Sequence, residues 1–308
     1  MTMRKDFHFK MEKKDIWFDL EIPEKWDKIT VDHLFRKIWL APKKLIHQFR
    51  MEKSVKVNGE NAIWERPLQT GDILQIALFQ EEDYGVIPDA IEINVLYEDE
   101  HLLVVNKPAG METHPNESEQ IHTLANAVAY HLQQNGEKLR VRHIHRLDKD
   151  TTGAVLFAKH AFSHALLDRM LNERTIKRTY LAIVQGIIKE HTGVIDHPIG
   201  RDRHHPTRRR VSKTGQNAVT RYTLVKTFPS KNLSMIECIL DTGRTHQIRV
   251  HLSSIGHPLA GDVLYGGKPI YKRQALHARK LVFTHPFTES KIECVAPFLD
   301  KPPIFPEI

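Results

Sequence analysis

The segment His145-Arg146-Leu147-Asp148-Lys149-Asp150-Thr151-Thr152-Gly153 separates a charged stretch of the chain from an apolar one. Its last four residues have the composition of a turn, and the apolar run at residues 154–158 is typical of a buried strand. Arg146 and Lys149 flank Asp148 and favour the ionised form of its carboxylate. An ionised carboxylate in a partly dry cleft suits a nucleophile, although an Asp here also suits a turn cap or a surface ion pair.

A second charged segment reads Asp241-Thr242-Gly243-Arg244-Thr245-His246-Gln247-Ile248-Arg249-Val250-His251. Its glycine ends a predicted strand, and a helix is predicted from Thr245, which would cap it, to Ser254. On that helix His246 and Arg249 share one face at the spacing i, i+3. Two arginines and two histidines beside a glycine turn favour an anion-facing site, and a polar surface helix is the alternative.

Periodic apolar runs around these two segments predict the rest of the fold. The predicted helices are residues 31–39, 42–50, 123–133, 161–172 and 245–254. The predicted strands are residues 55–57, 73–78, 93–97, 102–106, 154–158, 179–184, 219–227, 233–240, 281–284 and 291–295. Because this order is not a regular βαβ alternation, we predict an α+β fold with a mixed, mainly antiparallel sheet and peripheral helices.

Three regions are predicted along the chain, whose 308 residues suit one large and one small domain. Residues 1–80 form the small α+β domain, in which Asn58-Gly59 predicts a tight turn. Residues 81–90 are acidic, carry Gly85 and Pro88, and are predicted to be a linker. Residues 91–308 form the large domain and contain both charged segments.

The composition restricts the class of protein. Lys and Arg number 45 against 38 Asp and Glu, a net charge of +7 that favours a polyanionic partner but also fits a basic protein without one. Cys238 and Cys294 form no CxxC pair, so neither a disulfide framework nor a zinc-cysteine site is predicted. Residues 1–14 lack the apolar run of a signal peptide, and no stretch approaches the roughly 18 apolar residues of a membrane span. We therefore expect a soluble, cytoplasmic protein.

Other motifs are absent or incomplete. The segment Gly261-Asp262-Val263-Leu264-Tyr265-Gly266-Gly267-Lys268 resembles a phosphate-binding loop, but Pro269 replaces the Ser or Thr that would hold magnesium. The 20 histidines include no pair at i, i+4 within a predicted helix, so no metal site is predicted. The serine-hydrolase elbow and the zinc-protease signature do not occur.

Five segments together resemble the RluA-type family of pseudouridine synthases over roughly residues 91–297. The first two are Asn106-Lys107-Pro108-Ala109-Gly110 with His114-Pro115, and the Asp148 segment. The third is Lys177-Arg178-Thr179-Tyr180-Leu181-Ala182-Ile183-Val184-Gln185-Gly186. The fourth runs from Gly243 to His251, with Gly256-His257-Pro258 and Gly261-Asp262 beyond it, and the fifth contains Leu276-His277-Ala278 and His285-Pro286. Thr152 stands where the family more often has Ser, and a hydroxyl is kept.

The resemblance implies an isomerase that flips a uridine out of an RNA stack and converts it to its C-glycoside isomer. Asp148 is then the catalytic residue, either at the sugar or as a base, and both routes stay open. Tyr180 is expected beside the flipped base. Arg249 is expected to pair with Asp148, with Arg244 as the alternative, and Arg146 to hold the space that the base vacates. No metal, nucleotide or redox cofactor is expected, since the net reaction is an isomerisation.

Residues 1–80 more loosely resemble the alpha-L RNA-binding module, through residues 55–59 and 67–78. We expect Lys43 and Lys44, in its divergent helical part, to contact RNA. Removing residues 1–80 is predicted to weaken RNA binding and to have a smaller effect on the folded state of the remaining domain. The basic run Arg208-Arg209-Arg210 is expected to contact phosphates, and its loss to flatten the salt dependence of binding. A solvated charged turn is the alternative.

RNA is therefore the expected partner, with ribosomal RNA preferred over transfer RNA, and the chain is expected to be a monomer. A non-catalytic RNA-binding or ribosome-assembly factor with the same fold is the main alternative, and the intact Asp148, Tyr180 and Arg249 argue against it. A hydrolytic N-glycosylase that uses Asp148 to activate water is a second alternative, and its mark would be the release of free uracil.

Overall fold

A small and a large β-sheet organise residues 10–306, the part of the chain that the computed structural model describes. The small sheet contains β1 (Met11–Lys14), β2 (Trp17–Glu21), β3 (Val55–Val57), β4 (Glu60–Asn61) and β5 (Ile73–Ala77). Its strands are antiparallel in the order β1-β2-β5-β3-β4. β3 and β5 were predicted from the sequence, but β1, β2 and β4 were not.

Two short helices cover the small sheet. Helix α1 (Val31–His33) begins at Thr30, whose hydroxyl accepts from the N–H of His33, and continues as a π-helical turn over Leu34–Ile38. Helix α2 (Lys43–Met51) follows Pro42. Both lie where the sequence predicted helices, because their apolar side chains recur at helical spacing and are buried.

The large sheet and a small hairpin contain the remaining strands. In chain order they are β6 (Asn94–Glu98), β7 (Leu102–Lys107), β8 (Arg142–His143), β9 (Thr152–Ala158), β10 (Lys177–Gln185), β11 (Thr192–Asp196), β12 (Ile199–Arg201), β13 (Arg209–Val211), β14 (Val219–Phe228), β15 (Leu233–Leu240), β16 (Leu276–Thr284) and β17 (Lys291–Val295). The large sheet has the order β11-β14-β15-β10-β16-β9-β7-β6, with β8 beside β9 and β17 beside β16, and β12 pairs with β13 as a separate hairpin. The predicted mixed, mainly antiparallel α+β fold is confirmed.

The parallel contact between β9 and β16 lies directly after the Asp148 turn. His277 pairs with Thr152, and Ala278 pairs with Gly153. Gly153 has a φ of 115°, and a Cβ at this position would lie 2.2 Å from the carbonyl oxygen of Ala278. Glycine is therefore required where the turn enters the sheet.

Three helices pack around the large sheet: α3 (Leu124–Gln134), α4 (Ala161–Asn172) and α5 (Gln247–Ser254). The prediction that Thr245 caps α5 is wrong. The side-chain oxygen of Gln247 accepts from the backbone N–H of Arg244 at 3.0 Å, which bends the preceding loop and leaves His246 in the left-handed conformation before the helix. No helix within residues 10–306 is long and apolar enough to cross a membrane.

An aromatic cluster joins the small sheet and its helices to the large domain. Phe35 stacks on Phe162 of α4, with ring centroids 5.5 Å apart and an angle of 5° between the planes. Phe18 meets Phe287 at 5.5 Å, and Trp39 contacts both Phe162 and Phe287 edge-on. These rings belong to one continuous buried core, so the two sheets are held together by packing as well as by the chain that connects them.

The connecting segment is also fixed. Val141 donates its N–H to the carbonyl of Tyr84 at 3.0 Å, and Arg142 forms an ion pair with Glu82. Removing residues 1–80 would expose Phe162 and the other large-domain members of the aromatic cluster. The shared core therefore argues against the expectation that this deletion spares the remaining domain.

Two histidines are buried at the same junction. Nδ1 of His101 lies 2.9 Å from Nε2 of His160, and both side chains are enclosed. Burial lowers the pKa of His101 to about 3 because the imidazolium would be desolvated. An unfolded histidine has a pKa near 6.5. Below about pH 6.5 the unfolded chain therefore binds a proton that the folded chain does not, and folded stability falls as the pH drops from about 6.5 towards 3.

We expect the melting temperature to change little between pH 7 and 8 and to fall as the pH is lowered from about 6.5 to 5. His101→Gln, which cannot titrate, should show a smaller acid-dependent fall. His122→Asn serves as the control because His122 is largely exposed. Circular dichroism melts at several pH values test this, and equal melting temperatures at pH 5 and 7.5 would contradict it.

Candidate active site

A cleft of about 420 Å³ opens beside the Asp148 turn. Its other walls are the segment from the end of α4 to the start of β10 and the loop between β15 and α5. The cleft is lined by five residues that were predicted from the sequence to belong to the site: Arg146, Asp148, Tyr180, Arg244 and Arg249. The fold thus brings together side chains that are up to about a hundred residues apart in the chain.

Asp148 is held in the cleft by a buried arginine. Its Oδ2 accepts a 3.1 Å hydrogen bond from Nη1 of Arg249. Arg249 also donates from Nε and Nη2 to the two carboxylate oxygens of Asp262, at 2.7 and 2.9 Å. The side chain of Asp262 is only 1% exposed, whereas that of Asp148 is 19% exposed. The bidentate pair with Asp262 therefore fixes the guanidinium so that its remaining nitrogen faces Asp148.

The positive charge of Arg249 is maintained despite its burial. Burial disfavours the charged form, but the hydrogen bonds and negative charges of Asp262 and Asp148 hold the pKa of Arg249 above its usual value. The ring of Tyr265 lies 4.9 Å from the guanidinium carbon and adds a cation–π contact. The arginine is thus a permanent cation with a fixed orientation.

Two buried side chains fix the backbone immediately around Asp148. The hydroxyl of Thr113 donates to the carbonyl of Leu147 at 2.9 Å and accepts from the N–H of Leu147 at 3.0 Å. Nζ of Lys107 donates to the carbonyl of Lys149 at 2.8 Å and to two further carbonyls. Both sides of the catalytic candidate are therefore tied to the interior.

A third side chain, Arg273, fixes the end of the turn. It forms a bidentate ion pair with Asp300 and donates to the carbonyl of Asp150 at 3.1 Å. It also donates to the hydroxyl of Thr152, which lies 2.7 Å from Nδ1 of His277. Thr152 stands where Ser is more usual, and its hydroxyl therefore forms hydrogen bonds in this structure.

Tyr180 lies on β10 and presents a buried ring to the cleft. Burial raises the pKa of its hydroxyl, and the positive charge of Arg178 acts in the opposite direction. Nε of Arg178 is buried and has no hydrogen-bond partner within residues 10–306. A Cβ at Gly243 would lie 3.5 Å from Nη1 of Arg178, so this guanidinium lies against the loop on the other side of the cleft.

His246 lies between Asp148 and Tyr265. Its φ of 58° and ψ of 21° are uncommon for a residue other than glycine. Nδ1 is 2.8 Å from the hydroxyl of Tyr265, and Nε2 is 3.9 Å from Oδ2 of Asp148. Burial lowers the pKa of His246, which favours a neutral ring at pH 7.

Arg249, and not Arg244, contacts Asp148. Nε of Arg244 donates instead to the backbone carbonyl of Asn217 at 3.0 Å. Arg146 is exposed and lines the cleft without an ion-pair partner among residues 10–306. Arg244 and Arg146 thus lie in the cleft but outside the carboxylate network.

The predicted RNA contacts of the small domain are separate from the cleft. Lys43 and Lys44 are exposed in the first turn of α2, and neither pairs with a described carboxylate. Their positions place two uncompensated charges on the surface of the small domain.

The basic run near β13 divides into three different environments. Arg208 forms an ion pair with Asp202 at 2.6 Å. Arg209 is partly buried, and its backbone N–H donates to the hydroxyl of Tyr265 at 2.9 Å. Arg210 is exposed and makes no ion pair with the acidic residues that the structure describes. The hairpin therefore contacts the site through its backbone and offers Arg210 to solvent.

No role was predicted from the sequence for Asp262, Lys107 or Arg273. Two of them, Lys107 and Asp262, lie inside segments quoted for the family resemblance. For Lys107 and Asp262 the available signal was a charged residue close to an apolar run, because a buried charge needs a partner. Arg273 lies between Lys272 and Gln274 and carries no such signal. No group of three or more His, Cys, Asp or Glu within residues 10–306 is arranged to hold a metal.

Comparison with known proteins gives matches over most of the chain. The family described as RNA pseudouridylate synthase matches residues 101–254, and the RluD ribosomal pseudouridine synthase N-terminal domain matches residues 18–74. A Bacillus subtilis protein described as uncharacterized RNA pseudouridine synthase YhcT is 48% identical over 94% of this chain and 96% of its own length. Ribosomal large subunit pseudouridine synthase D of Nitrosomonas europaea is 42% identical over 76% of this chain and 71% of its own length.

A solved structure agrees with these matches. Human RNA pseudouridylate synthase domain containing 1 has 27% sequence identity and a TM-score of 0.56, and the match covers 68% of this chain and 85% of the human one. The chain therefore belongs to the RNA pseudouridylate synthase family and is an isomerase that converts uridine to pseudouridine in RNA.

Proposed function

We propose that this isomerase modifies ribosomal RNA and that Asp148 acts on the ribose of a flipped uridine. The observation that carries the proposal is the chain of contacts from Asp262 through Arg249 to Asp148, which presents one oriented carboxylate to the cleft. Relatives named ribosomal large subunit pseudouridine synthase D support the choice of RNA.

The proposed chemistry breaks the bond between N1 of uracil and C1′ of ribose, turns the base, and joins C5 to C1′. Asp148 either attacks the sugar or removes a proton from it, and its position suits both routes. Arg249 keeps the carboxylate charged and oriented in either case. The ring of Tyr180 forms a wall for the base, and the cleft of about 420 Å³ admits a single nucleotide.

Four arginines of the cleft are proposed to bind the RNA backbone beside the flipped nucleotide. They are Arg146, Arg174, Arg178 and Arg244. None forms an ion pair with an acidic residue in the described part of the chain, so their charges are available to phosphates. Arg146 is also proposed to occupy the space that the flipped base leaves.

We propose that residues 1–80 form an RNA-binding domain, joined through residues 81–90 to a catalytic domain of residues 91–308. The shared aromatic core supports a fixed position of the small domain relative to the cleft. Lys43 and Lys44 are proposed to contact RNA from the small domain. On the hairpin, Arg210 is favoured over Arg208, whose charge is balanced by Asp202.

The double variant Lys43→Ala/Lys44→Ala is expected to weaken RNA binding and to make its salt dependence less steep. If each lysine neutralises one phosphate, the slope of log K against log salt decreases by roughly 1.4–1.8 in magnitude. Filter binding across a salt series measures this. Lys189→Ala/Lys231→Ala, two exposed lysines outside the cleft, is the control. Equal slopes for both double variants would refute the RNA role of Lys43 and Lys44.

Incubation of the protein with separate transcripts of ribosomal and transfer RNA tests the substrate class. Pseudouridine is then located by chemical mapping. We expect modification of ribosomal RNA at one or a few positions. Modification of transfer RNA alone would contradict the proposed substrate while leaving the isomerase assignment intact.

Two other functions give different results in the same assay. A non-catalytic RNA-binding factor would bind the transcripts without forming pseudouridine, and an N-glycosylase would release free uracil. We propose further that the protein works in the cytoplasm as a monomer and, since the reaction is an isomerisation, without a cofactor.

A further inference from the structure

The proposed isomerisation includes a proton transfer to which no residue has yet been assigned. When C5 has bonded to C1′, it still carries its hydrogen, which must leave as a proton so that the C5–C6 double bond is restored. N1, which left the sugar with the bonding electron pair, gains one proton from water. One proton leaves and one arrives, so the step needs neither an oxidant nor a reductant.

We propose that Nε2 of His246 accepts the proton from C5. The inference rests on the proposed position of the ribose beside Asp148. At this step C5 is bonded to C1′, so the departing proton is only two bonds from a carbon of that ribose. Nε2 lies 3.9 Å from Oδ2 of Asp148 and lines the same cleft, which puts a nucleotide seated against the carboxylate within its reach.

The contacts of His246 accommodate the required tautomer. Nδ1 lies 2.8 Å from the hydroxyl oxygen of Tyr265, which also accepts from the backbone N–H of Arg209. A proton on Nδ1 donates to that oxygen and leaves the lone pair of Nε2 on the side of Asp148. The 2.8 Å contact with Tyr265 holds the ring in this direction.

The charges around the ring suit a base that is protonated only briefly. Burial lowers the pKa of His246, and the positive charges of Arg249 and Arg209 act in the same direction. Asp148 and Asp262 act in the opposite direction and stabilise the imidazolium once it forms. The neutral ring therefore accepts a proton, and the cation then returns it to solvent.

Tyr180 is a poorer acceptor for this proton. Burial raises the pKa of its hydroxyl, so the phenol stays protonated at neutral pH. Asp148 is the remaining rival acceptor. It would then have to act both at the sugar and at C5.

Single-turnover rates on RNA with hydrogen or deuterium at C5 of the target uridine test the proposal. His246→Asn keeps a residue that tolerates the left-handed backbone but removes the base. We expect its rate to fall about 10²-fold and the C5 isotope effect to rise, because proton removal becomes rate-limiting. His246→Gly should be equally slow and should recover part of its rate when imidazole is added. Neither the isotope effect nor the rescue follows from a purely structural role.

His122→Asn is the matched control. His122 has a φ of 65°, lies outside the cleft, and should tolerate the change without loss of rate. A His246→Asn variant with a rate within threefold of the wild type and an unchanged isotope effect would overturn the proposal. A slow variant without an isotope effect and without imidazole rescue, or one impaired only in RNA affinity, would overturn it as well. Asp148→Asn in the same assay tests the proposed function separately, since wild-type activity in that variant would remove the premise.

Discussion

Asp148→Asn is expected to lower the isomerisation rate by at least about 10⁴-fold, the scale seen when a catalytic carboxylate is removed from another enzyme. The amide has nearly the same shape as the carboxylate but lacks its negative charge. It can therefore neither attack the sugar nor remove a proton from it. RNA affinity should stay within a few-fold, because the arginines of the cleft and the surface lysines remain.

Tritium release from RNA labelled at C5 of uridine measures the rate, and filter binding measures the affinity. Asp150→Asn is the matched control, because Asp150 belongs to the same turn but its side chain does not line the cleft. The control should retain most of the activity. An Asp148→Asn variant as active as the wild type would show that another group performs the chemistry.

Asp262→Ala is expected to have the largest effect on stability. It removes both hydrogen bonds that fix Arg249 and leaves a buried guanidinium with Asp148 as its sole carboxylate partner among the described residues. Breaking a buried ion pair by removing one partner costs about 3–5 kcal/mol of unfolding free energy. Misplacing the guanidinium should also slow isomerisation by about 10²-fold, since small displacements of a catalytic group have effects of that size.

Urea unfolding measures the stability, and the tritium assay measures the rate. Glu173→Ala removes an exposed pair with Arg169 one helical turn away and should cost no more than about 0.5 kcal/mol. Asp262→Asn keeps the shape of the side chain but removes its charge, and it should also be slow. An Asp262→Ala protein within 1 kcal/mol of the wild type and with normal activity would refute the orienting role of Asp262.

Most strands of the large sheet were predictable because their side chains follow strand periodicity between clear turn residues, but β8 and β11 were not predicted. Strands β1 and β2 of the small sheet were not predictable. In Met11–Lys14 most side chains are exposed at a sheet edge, so charged residues occupy the strand and hide its pattern. The hairpin of β12 and β13 is also short and highly charged, and its composition resembled a loop.

The site was predictable only in part. Local sequence around Asp148 suited a turn cap or an ion pair as well as a nucleophile, and the five-segment resemblance supplied the preference. Arg249 is 101 residues away from Asp148, and its contact depends on how α5 packs against the Asp148 turn. Local periodicity carries no information about such a contact.

The supporting shell was not predictable from local patterns. Lys107 and Arg273 act on backbone carbonyls of the Asp148 turn, and these acceptors have no sequence signature. The position of His246 was also missed, because Thr245 suggested a helix cap and the bend made by Gln247 depends on its side-chain hydrogen bond. In the structure His246 lies before the helix and beside Asp148.

Pseudouridine mapping in ribosomal RNA from cells that lack this gene tests the central claim most directly. The cells are complemented with the wild-type gene or with Asp148→Asn, and equal amounts of both proteins are verified. The account predicts that one or a few pseudouridines disappear on deletion, return with the wild type and stay absent with Asp148→Asn. Ribosomal RNA with an unchanged pattern after deletion, or a pattern restored by Asp148→Asn, would contradict it.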